Sequence, residues 1–244
     1  MQIDFIKVPY TTGPGMIRNT GPVFVYPPSL ERIINKKLEL EKYGTDLWAQ
    51  EKGLESVIAK AAEYCGIFSD NIVDLALSLE EDVAVMYQGR LAAICFCFPS
   101  GFKPCNIISK PLEDIHSAVA DNEMLVKASP GIARTMTEQP SFRRWVWSIN
   151  KNPDLSNHPS NKKHADPHSI DDLYFRVETQ TTAKVDHETS LFFVKVDVVP
   201  LKQVYDKKIL DSINSMSDNV LEYKHLTKIK NLLNLLDAQN NQVS

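Results

Sequence analysis

The chain has 244 residues, of which 43% are hydrophobic and 24% are charged, and its formal net charge is −4 at pH 7. Such a composition is typical of a water-soluble globular protein, and the negative net charge does not favour a nucleic-acid surface. No apolar run is long enough to span a bilayer, and the acidic start MQIDFIKVPY does not have the pattern of a signal peptide. We therefore expect a cytoplasmic protein that binds neither nucleic acid nor membrane.

The first half of the chain predicts helices followed by a hairpin. Residues 1–28 are rich in Pro and Gly and predict irregular chain. Capping residues and apolar spacing predict three helices, over 29–44, 45–66 and 69–82. The segments VAVMYQG (83–89) and RLAAICFCF (90–98) then predict a β-hairpin, with Gln-Gly as its turn.

The four cysteines lie at positions 65, 95, 97 and 105. Cys95 and Cys97 share one face of the predicted strand, and their spacing to Cys105 is not that of a zinc motif. Buried free thiols in a reducing compartment are therefore expected.

The second half predicts a helical insertion followed by strands. PLEDIH (111–116) predicts a short helix that starts at Pro111, and NEMLVKASPGIARTM (122–136) predicts a helix that Pro130 interrupts after Ser129. Residues 150–170 predict a long loop of the kind that forms lids or stays disordered. The remaining segments predict strands over 143–150, 172–182 and 190–199, and two helices over 205–240, the second capped by Ser217 or Asp218.

This order of elements predicts an α+β protein with an antiparallel sheet, because strands follow one another without regular intervening helices. A doubly wound nucleotide-binding fold is disfavoured, since neither Gly-x-Gly-x-x-Gly nor a phosphate-binding Gly-Lys-Ser/Thr motif occurs.

The predicted strand DLYFRVETQTT (172–182) has one apolar and one polar face. Alternation places Tyr174, Arg176, Glu178 and Gln180 on the same side. A solvated sheet face is the interpretation that alternation alone favours. The alternative is a polar row inside a cavity, where Arg176 binds an anion and Glu178 holds a cationic substrate or moves a proton.

The histidines leave a similar choice open. His158, His164 and His168 lie in the polar loop near Asp166 and Asp171, but they lack the spacing of a compact metal site, and solvated side chains are expected. His116 follows an apolar residue, and on local grounds a satisfied, partly buried histidine is favoured over a ligand.

Several short motifs, in order, resemble one known family, that of the heme-dependent oxidative N-demethylase alpha subunit. The resemblance covers roughly residues 10–235 and rests on these segments: LEEDVAVM (79–86), FPSGF (98–102), KPLEDIHSAVA (110–120), RWVW (144–147), RVETQTT (176–182), FFVKVDVVPL (192–201) and EYKHL (222–226). The chain departs from the family pattern at Phe102, Val146, Thr179 and Thr182 and lacks two prolines after His116, so it is identified as a divergent, short member.

The resemblance implies a fold, a cofactor and roles for particular residues. The fold would be a PAS-like antiparallel sheet with flanking helices, as a single domain over residues 1–244 with helical N- and C-terminal extensions. Heme b would lie in a pocket over the sheet, with His116 as the axial ligand of the heme iron. Arg176 would face a heme propionate or a structural carboxylate, Glu178 would act in the distal pocket, and Gln180 and Trp147 would contact the cofactor.

The function implied by the resemblance is that of a heme-dependent oxidase or monooxygenase. The substrate would be a small, amine-containing molecule, oxidised with molecular oxygen or peroxide. The chain has no flavin or iron–sulfur motif, so electrons would come from a separate electron-transfer reductase or from the substrate. The alternatives are a non-catalytic PAS-type heme or ligand sensor, and an interaction protein that has lost heme.

Overall fold

The computed structural model describes residues 3–162 and 164–243, with side chains described as far as residue 239. Its helices are Leu30–Tyr43 (α1), Glu55–Tyr64 (α2), Ile72–Leu77 (α3), Leu112–His116 (α4), Glu123–Glu138 (α5), Lys207–Asn214 (α6), Asp218–Tyr223 (α7) and Thr227–Val243 (α8). Its strands are Ile17–Arg18 (β1), Trp48–Gln50 (β2), Asp82–Tyr87 (β3), Arg90–Cys95 (β4), Phe142–Asn150 (β5), Tyr174–Lys184 (β6) and Thr189–Pro200 (β7). None of the helices in the described ranges is both long enough and apolar enough to cross a bilayer.

The strands form one seven-stranded sheet in the order β1-β5-β6-β7-β3-β4-β2. Every neighbouring pair is antiparallel, which confirms the predicted α+β class and strand direction. The predicted hairpin is β3–β4, and its turn residues Gln88 and Gly89 both have positive φ, as a tight two-residue hairpin turn requires. Pairing of β7 with β3 joins this hairpin to the long strands β5, β6 and β7.

Helices cover both faces of the sheet. The C-terminal helices α6 to α8 pack against β5 and β6 through a core that includes Trp147 and Phe175. On the other face, α4 and α5 cover Ala84, Ile94 and Phe192. Phe192 on β7 pairs with Thr182 on β6, so the two side chains point to the same face of the sheet. Gln180 and Glu178 precede Thr182 by two and four residues and therefore share that face. The polar row of β6 thus lies on the face that α4 and α5 cover.

The helix predicted over 45–66 is partly wrong. Residues Trp48–Gln50 instead form β2, which adds to the sheet along β4. The chain then turns through Gly53, whose φ is 84°, and α2 begins at Glu55. Backbone pairing at the sheet edge outweighs the helical spacing of the local sequence.

Two other predicted helix boundaries are also wrong. The helix α5 continues through Pro130, because buried residues on both sides, Leu125 and Met136, hold its two halves against the sheet. The C-terminal segment forms three helices rather than two, since His225 has a positive φ of 56° and separates α7 from α8. Ser217 caps α7, as predicted.

The segment 150–170 is an irregular loop, as predicted, but part of it is buried. His158 is only 2% exposed and stacks on Tyr43, with ring centroids 3.9 Å apart, so the solvated interpretation of this histidine is wrong. His164 and His168 are exposed. Among the described residues, no three His, Cys, Asp or Glu side chains come together as a metal-binding group.

The cysteine prediction is confirmed for three residues. Cys65, Cys95 and Cys97 are buried free thiols, whereas Cys105 is half-buried. Burial raises the pKa of Cys65 to about 12, so this side chain stays protonated at neutral pH.

Candidate cofactor site

His116 is the last residue of α4 and is held by a hydrogen bond to α5. Its Nδ1 lies 2.8 Å from the hydroxyl of Ser129, and that hydroxyl lies 2.8 Å from the carbonyl of Leu125. A carbonyl only accepts, so the Ser129 hydroxyl donates its proton to Leu125 and accepts the Nδ1–H of His116. The neutral ring therefore carries its proton on Nδ1 and a lone pair on Nε2.

The charge state of His116 keeps that lone pair available. Burial, with a smaller contribution from the nearby cation Arg144, lowers the pKa of His116 to about 4. Within the described part of the chain, Nε2 has no hydrogen-bond partner. A neutral imidazole whose Nδ1–H is fixed by a second residue is the usual arrangement of a metal-ligating histidine.

The polar row of β6 lies inside the protein. Arg176 is 2% exposed and Glu178 is 8% exposed, so the interpretation of this row as a solvated sheet face is wrong. Arg176 Nη1 donates to Glu178 Oε1 at 2.7 Å and to the Ser100 hydroxyl at 2.6 Å. Its other nitrogens donate to the carbonyls of Phe98 and Leu155. Arg176 thus fixes Glu178 and two loops to the sheet.

Glu178 is an anchored carboxylate. It accepts hydrogen bonds from Ser100 at 2.5 Å, from Arg176, and from the Gln180 amide at 2.7 Å. Burial alone would raise the pKa of Glu178, but the positive charge of Arg176 and the three hydrogen bonds outweigh it and hold the pKa below its usual value. At neutral pH Glu178 is therefore a fixed negative charge.

Two cations lie near Glu178, and the first of them, Arg144, also lies near His116. Arg144 on β5 is directly opposite Gln180 on β6, and its guanidinium has no hydrogen bond or ion pair with any residue in the described ranges. Burial lowers the pKa of Arg144, and Glu178 and Tyr10 partly oppose this effect. A half-buried guanidinium without a partner favours binding of an anionic group.

Lys224, just after α7, is the second cation. Its Nζ donates to the carbonyl of Trp147 at 2.8 Å and lies 5.6 Å from the centroid of the Tyr10 ring. Burial, opposed by Glu178 and reinforced by Arg144 and Arg176, lowers the pKa of Lys224 to about 8. Arg144, Arg176 and Lys224 all interact electrostatically with Glu178, so these four residues together carry a net positive charge.

Trp147 lies on the opposite face of β5 from Arg144. Its indole stacks on Phe175, with centroids 5.7 Å apart, and contacts Tyr10 by its edge. Trp147 contacts Lys224 through its carbonyl, which accepts a hydrogen bond from Nζ, and through its ring, whose centroid lies 6.0 Å from Nζ. Its predicted contact with a cofactor stays a prediction.

Four site residues received no role from the sequence. Ser100, Arg144 and Lys224 lie within motifs that carried the family resemblance, FPSGF, RWVW and EYKHL, so the motifs themselves were the available signal. Ser129 had no such signal, because its contact with His116 depends on how α4 packs against α5. The motifs are far apart in the chain, yet the residues cluster around His116 and Glu178.

The family comparison covers nearly all of these residues. The model of the family described as haem-dependent oxidative N-demethylase, alpha subunit-like, matches residues 49–234, a range that includes every cluster residue named above except Tyr10. No protein with curated function matches the chain. Because the matched range is well over half of the chain and carries the cluster, this chain belongs to the haem-dependent oxidative N-demethylase alpha-subunit-like family.

Proposed function

We propose that this chain binds heme b through Nε2 of His116 and acts as a heme-dependent oxidase or monooxygenase on a small, amine-containing substrate. The observation that carries the proposal is the hydrogen-bonded series His116, Ser129 and Leu125, which leaves Nε2 neutral and without a partner. The family's description supports a heme-dependent, oxidative-demethylase-like activity. An antiparallel sheet with α4 and α5 over one face is compatible with the PAS-like arrangement expected from the sequence.

The side chains around His116 and Glu178 have the chemical groups that heme requires. The iron takes a neutral imidazole nitrogen, and the two propionates require cationic partners. Arg144 and Lys224 supply those cations, since neither has a carboxylate partner among the described residues. Arg176 has its donors occupied by Glu178, Ser100 and two carbonyls, which supports the structural-carboxylate role expected for it as the alternative to a propionate contact.

Bound heme would supply the activation of molecular oxygen or peroxide. The chain itself contributes position and charge: Ser129 orients the His116 ring, and Glu178 provides a fixed negative charge suited to a protonated amine. Gln180 holds the second oxygen of that carboxylate. Electrons would come from a separate reductase or from the substrate.

A heme titration followed by a turnover assay tests the proposal. We expect hemin to produce a stoichiometric Soret band in the purified protein, and a small secondary methylamine to release formaldehyde when an electron donor and oxygen, or peroxide, are present. Absence of the Soret band contradicts the proposal and favours the interaction protein that has lost heme. Heme binding without turnover of any methylamine tested favours the non-catalytic sensor.

Ser129→Ala should weaken heme binding by about 10- to 100-fold, the usual effect of removing the partner of a metal-ligating histidine. The hydroxyl of Ser129 is the acceptor that fixes the ring, and without it the ring is free to change tautomer. The matched control is Thr135→Ala, which removes a hydroxyl that also donates to the carbonyl four residues earlier in α5. Equal heme affinities of the two variants would contradict this role.

Heme affinity should fall as the pH rises above about 8, the pKa of Lys224 in the free protein. A heme propionate binds Lys224 better when the Lys224 amine is protonated. Above this pH, heme binding must therefore be accompanied by the uptake of a proton. Conversely, the free protein should gain stability between about pH 8 and 10.5, the usual pKa of Lys, since there the unfolded state holds a proton on Lys224 that the folded state lacks. Lys224→Gln should remove this pH dependence of heme affinity in hemin titrations. A pH dependence that persists in the variant would have to come from another group.

A further inference from the structure

The N-terminal segment lies against the sheet beside the candidate cofactor site. Ile6 is buried in the core beneath α6 to α8, and Phe5 stacks on Trp145 of β5, with ring centroids 5.5 Å apart. Since β1 pairs with β5 as well, both ends of the segment 5–18 contact this strand. The segment precedes residues 49–234, the part of the chain that the family model matches.

Tyr10 is the residue of this segment that contacts the cluster. Its backbone N–H donates to the hydroxyl of Ser215 at 2.8 Å, which fixes the main chain at this point. Its ring meets the indole of Trp147 edge to face, with centroids 6.3 Å apart and 83° between the ring planes. The indole in turn stacks on Phe175 in the core. The two rings therefore form a corner with nearly perpendicular walls.

The ammonium of Lys224 lies in this corner. Its Nζ is 5.6 Å from the centroid of the Tyr10 ring and 6.0 Å from that of Trp147, and both distances are those of a cation–π interaction. The carbonyl of Trp147 accepts one of its three protons at 2.8 Å. The other two have no hydrogen-bond partner among the described residues, so they are available to a ligand.

The ring faces stabilise a charge that the rest of the site disfavours. Burial lowers the pKa of Lys224, and its charged neighbours are one anion, which opposes this effect, and two cations, which add to it: Glu178, Arg144 and Arg176. The face of an aromatic ring is negative and attracts an ammonium. Burial raises the pKa of Tyr10 to about 12, so its hydroxyl is neutral at pH 8 and the ring face alone acts on Lys224.

We propose that Tyr10 is a positioning residue of the cofactor site, whose ring, together with that of Trp147, holds the ammonium of Lys224 charged and in place. The inference rests on the proposed function, in which Lys224 binds a heme propionate. Trp147, which the sequence predicted to contact the cofactor, acts through Lys224 in this arrangement. The N-terminal segment thus completes a site whose other residues lie within 49–234.

NMR titration of the heme-free protein, labelled with ¹³C at lysine Cε, tests this role without the cofactor. The Lys224 signal, identified by its loss in Lys224→Gln, should titrate at about pH 8. In Tyr10→Leu the midpoint should fall by about half a pH unit to one pH unit, about three- to tenfold in proton affinity, because Leu has no negative ring face. In Tyr10→Phe it should stay at the wild-type value, because the ring is kept. An unchanged or higher midpoint in Tyr10→Leu overturns the proposal, and so does an equal fall in Tyr10→Phe.

A fluorinated ring separates the charge of the ring face from its packing. Phenylalanine with several ring fluorines, incorporated at position 10, keeps nearly the shape of the ring while the fluorines withdraw negative charge from its face. Its midpoint should lie below that of Tyr10→Phe, so the test does not depend on whether Tyr10→Leu folds. Circular dichroism and Tm confirm the fold of each protein. Equal midpoints for the fluorinated protein and Tyr10→Phe overturn the proposal.

Hemin titrations distinguish this inference from the proposed function. In Tyr10→Leu the pH at which heme affinity begins to fall should decrease by the same amount as the NMR midpoint. If the midpoint falls but the pH profile of heme affinity does not move, the contact with Tyr10 is supported and the propionate role of Lys224 is contradicted. If the wild type binds no heme, the proposed function fails, and the NMR comparison still decides the role of Tyr10.

Discussion

Replacing His116 by Ala should abolish the Soret band of the heme-loaded protein, or weaken hemin binding by more than about 100-fold. The loss should exceed that of the Ser129 variant, because removing a ligand costs more than removing the residue that orients it. The side chain is half-buried and belongs to a short helix, so the fold should tolerate its removal. Absorbance titration with hemin measures the effect directly and does not depend on finding the substrate.

Two comparisons separate loss of the ligand from loss of the fold. His187 is exposed in the β6–β7 turn, and His187→Ala should bind hemin as the wild type does. Free imidazole, added to the His116→Ala protein, should restore part of the Soret band if the space left by the side chain accepts it. An unchanged spectrum in His116→Ala would show that another residue is the ligand.

Glu178→Gln should destabilise the protein by about 3 kcal/mol at pH 7, because it leaves the buried Arg176 without its counter-charge. The ion pair is 2.7 Å long, and both side chains are at least nine-tenths buried. Gln has nearly the same shape as Glu, so the variant tests charge rather than packing. Urea unfolding followed by fluorescence gives the free energy of unfolding.

The same substitution should change the pH dependence of stability. The folded-state pKa of Glu178 is lowered from 4.5, so its contribution is present above that value and is lost as the pH falls through the folded pKa. The difference between wild type and Glu178→Gln should therefore shrink below pH 4.5. A difference that stays constant down to pH 3 would contradict an ionised Glu178 in the folded protein.

Turnover separates the structural role of Glu178 from its expected role toward the substrate. If its charge stabilises a protonated amine, turnover should fall by about 100-fold while heme content stays near that of the wild type. Ser100→Ala is the control, since it removes one hydrogen bond to Glu178 but keeps the charge. Loss of heme together with activity would instead make Glu178 a structural residue.

The sequence by itself determined the elements that local rules govern. Alternation located β6 and β7, the Gln88–Gly89 turn located the hairpin, and Ser29 marked the start of α1. These features depend on backbone preferences and on hydrogen bonds within a few residues, so a short window contains the information. The ordered motifs likewise pointed to the family, which the match over residues 49–234 confirms.

Only the tertiary structure decided which neighbours cover each face. Alternation put Arg176 and Glu178 on one side of a strand, but their burial depends on residues 98–100, far away in the chain. Ser129 became the partner of His116 because α5 packs against α4. The inward charges of α1 have the same origin, since Lys36 is satisfied by carbonyls of residues 76, 79 and 81. Periodicity defines the sides of an element, whereas burial and partners come from contacts between distant segments.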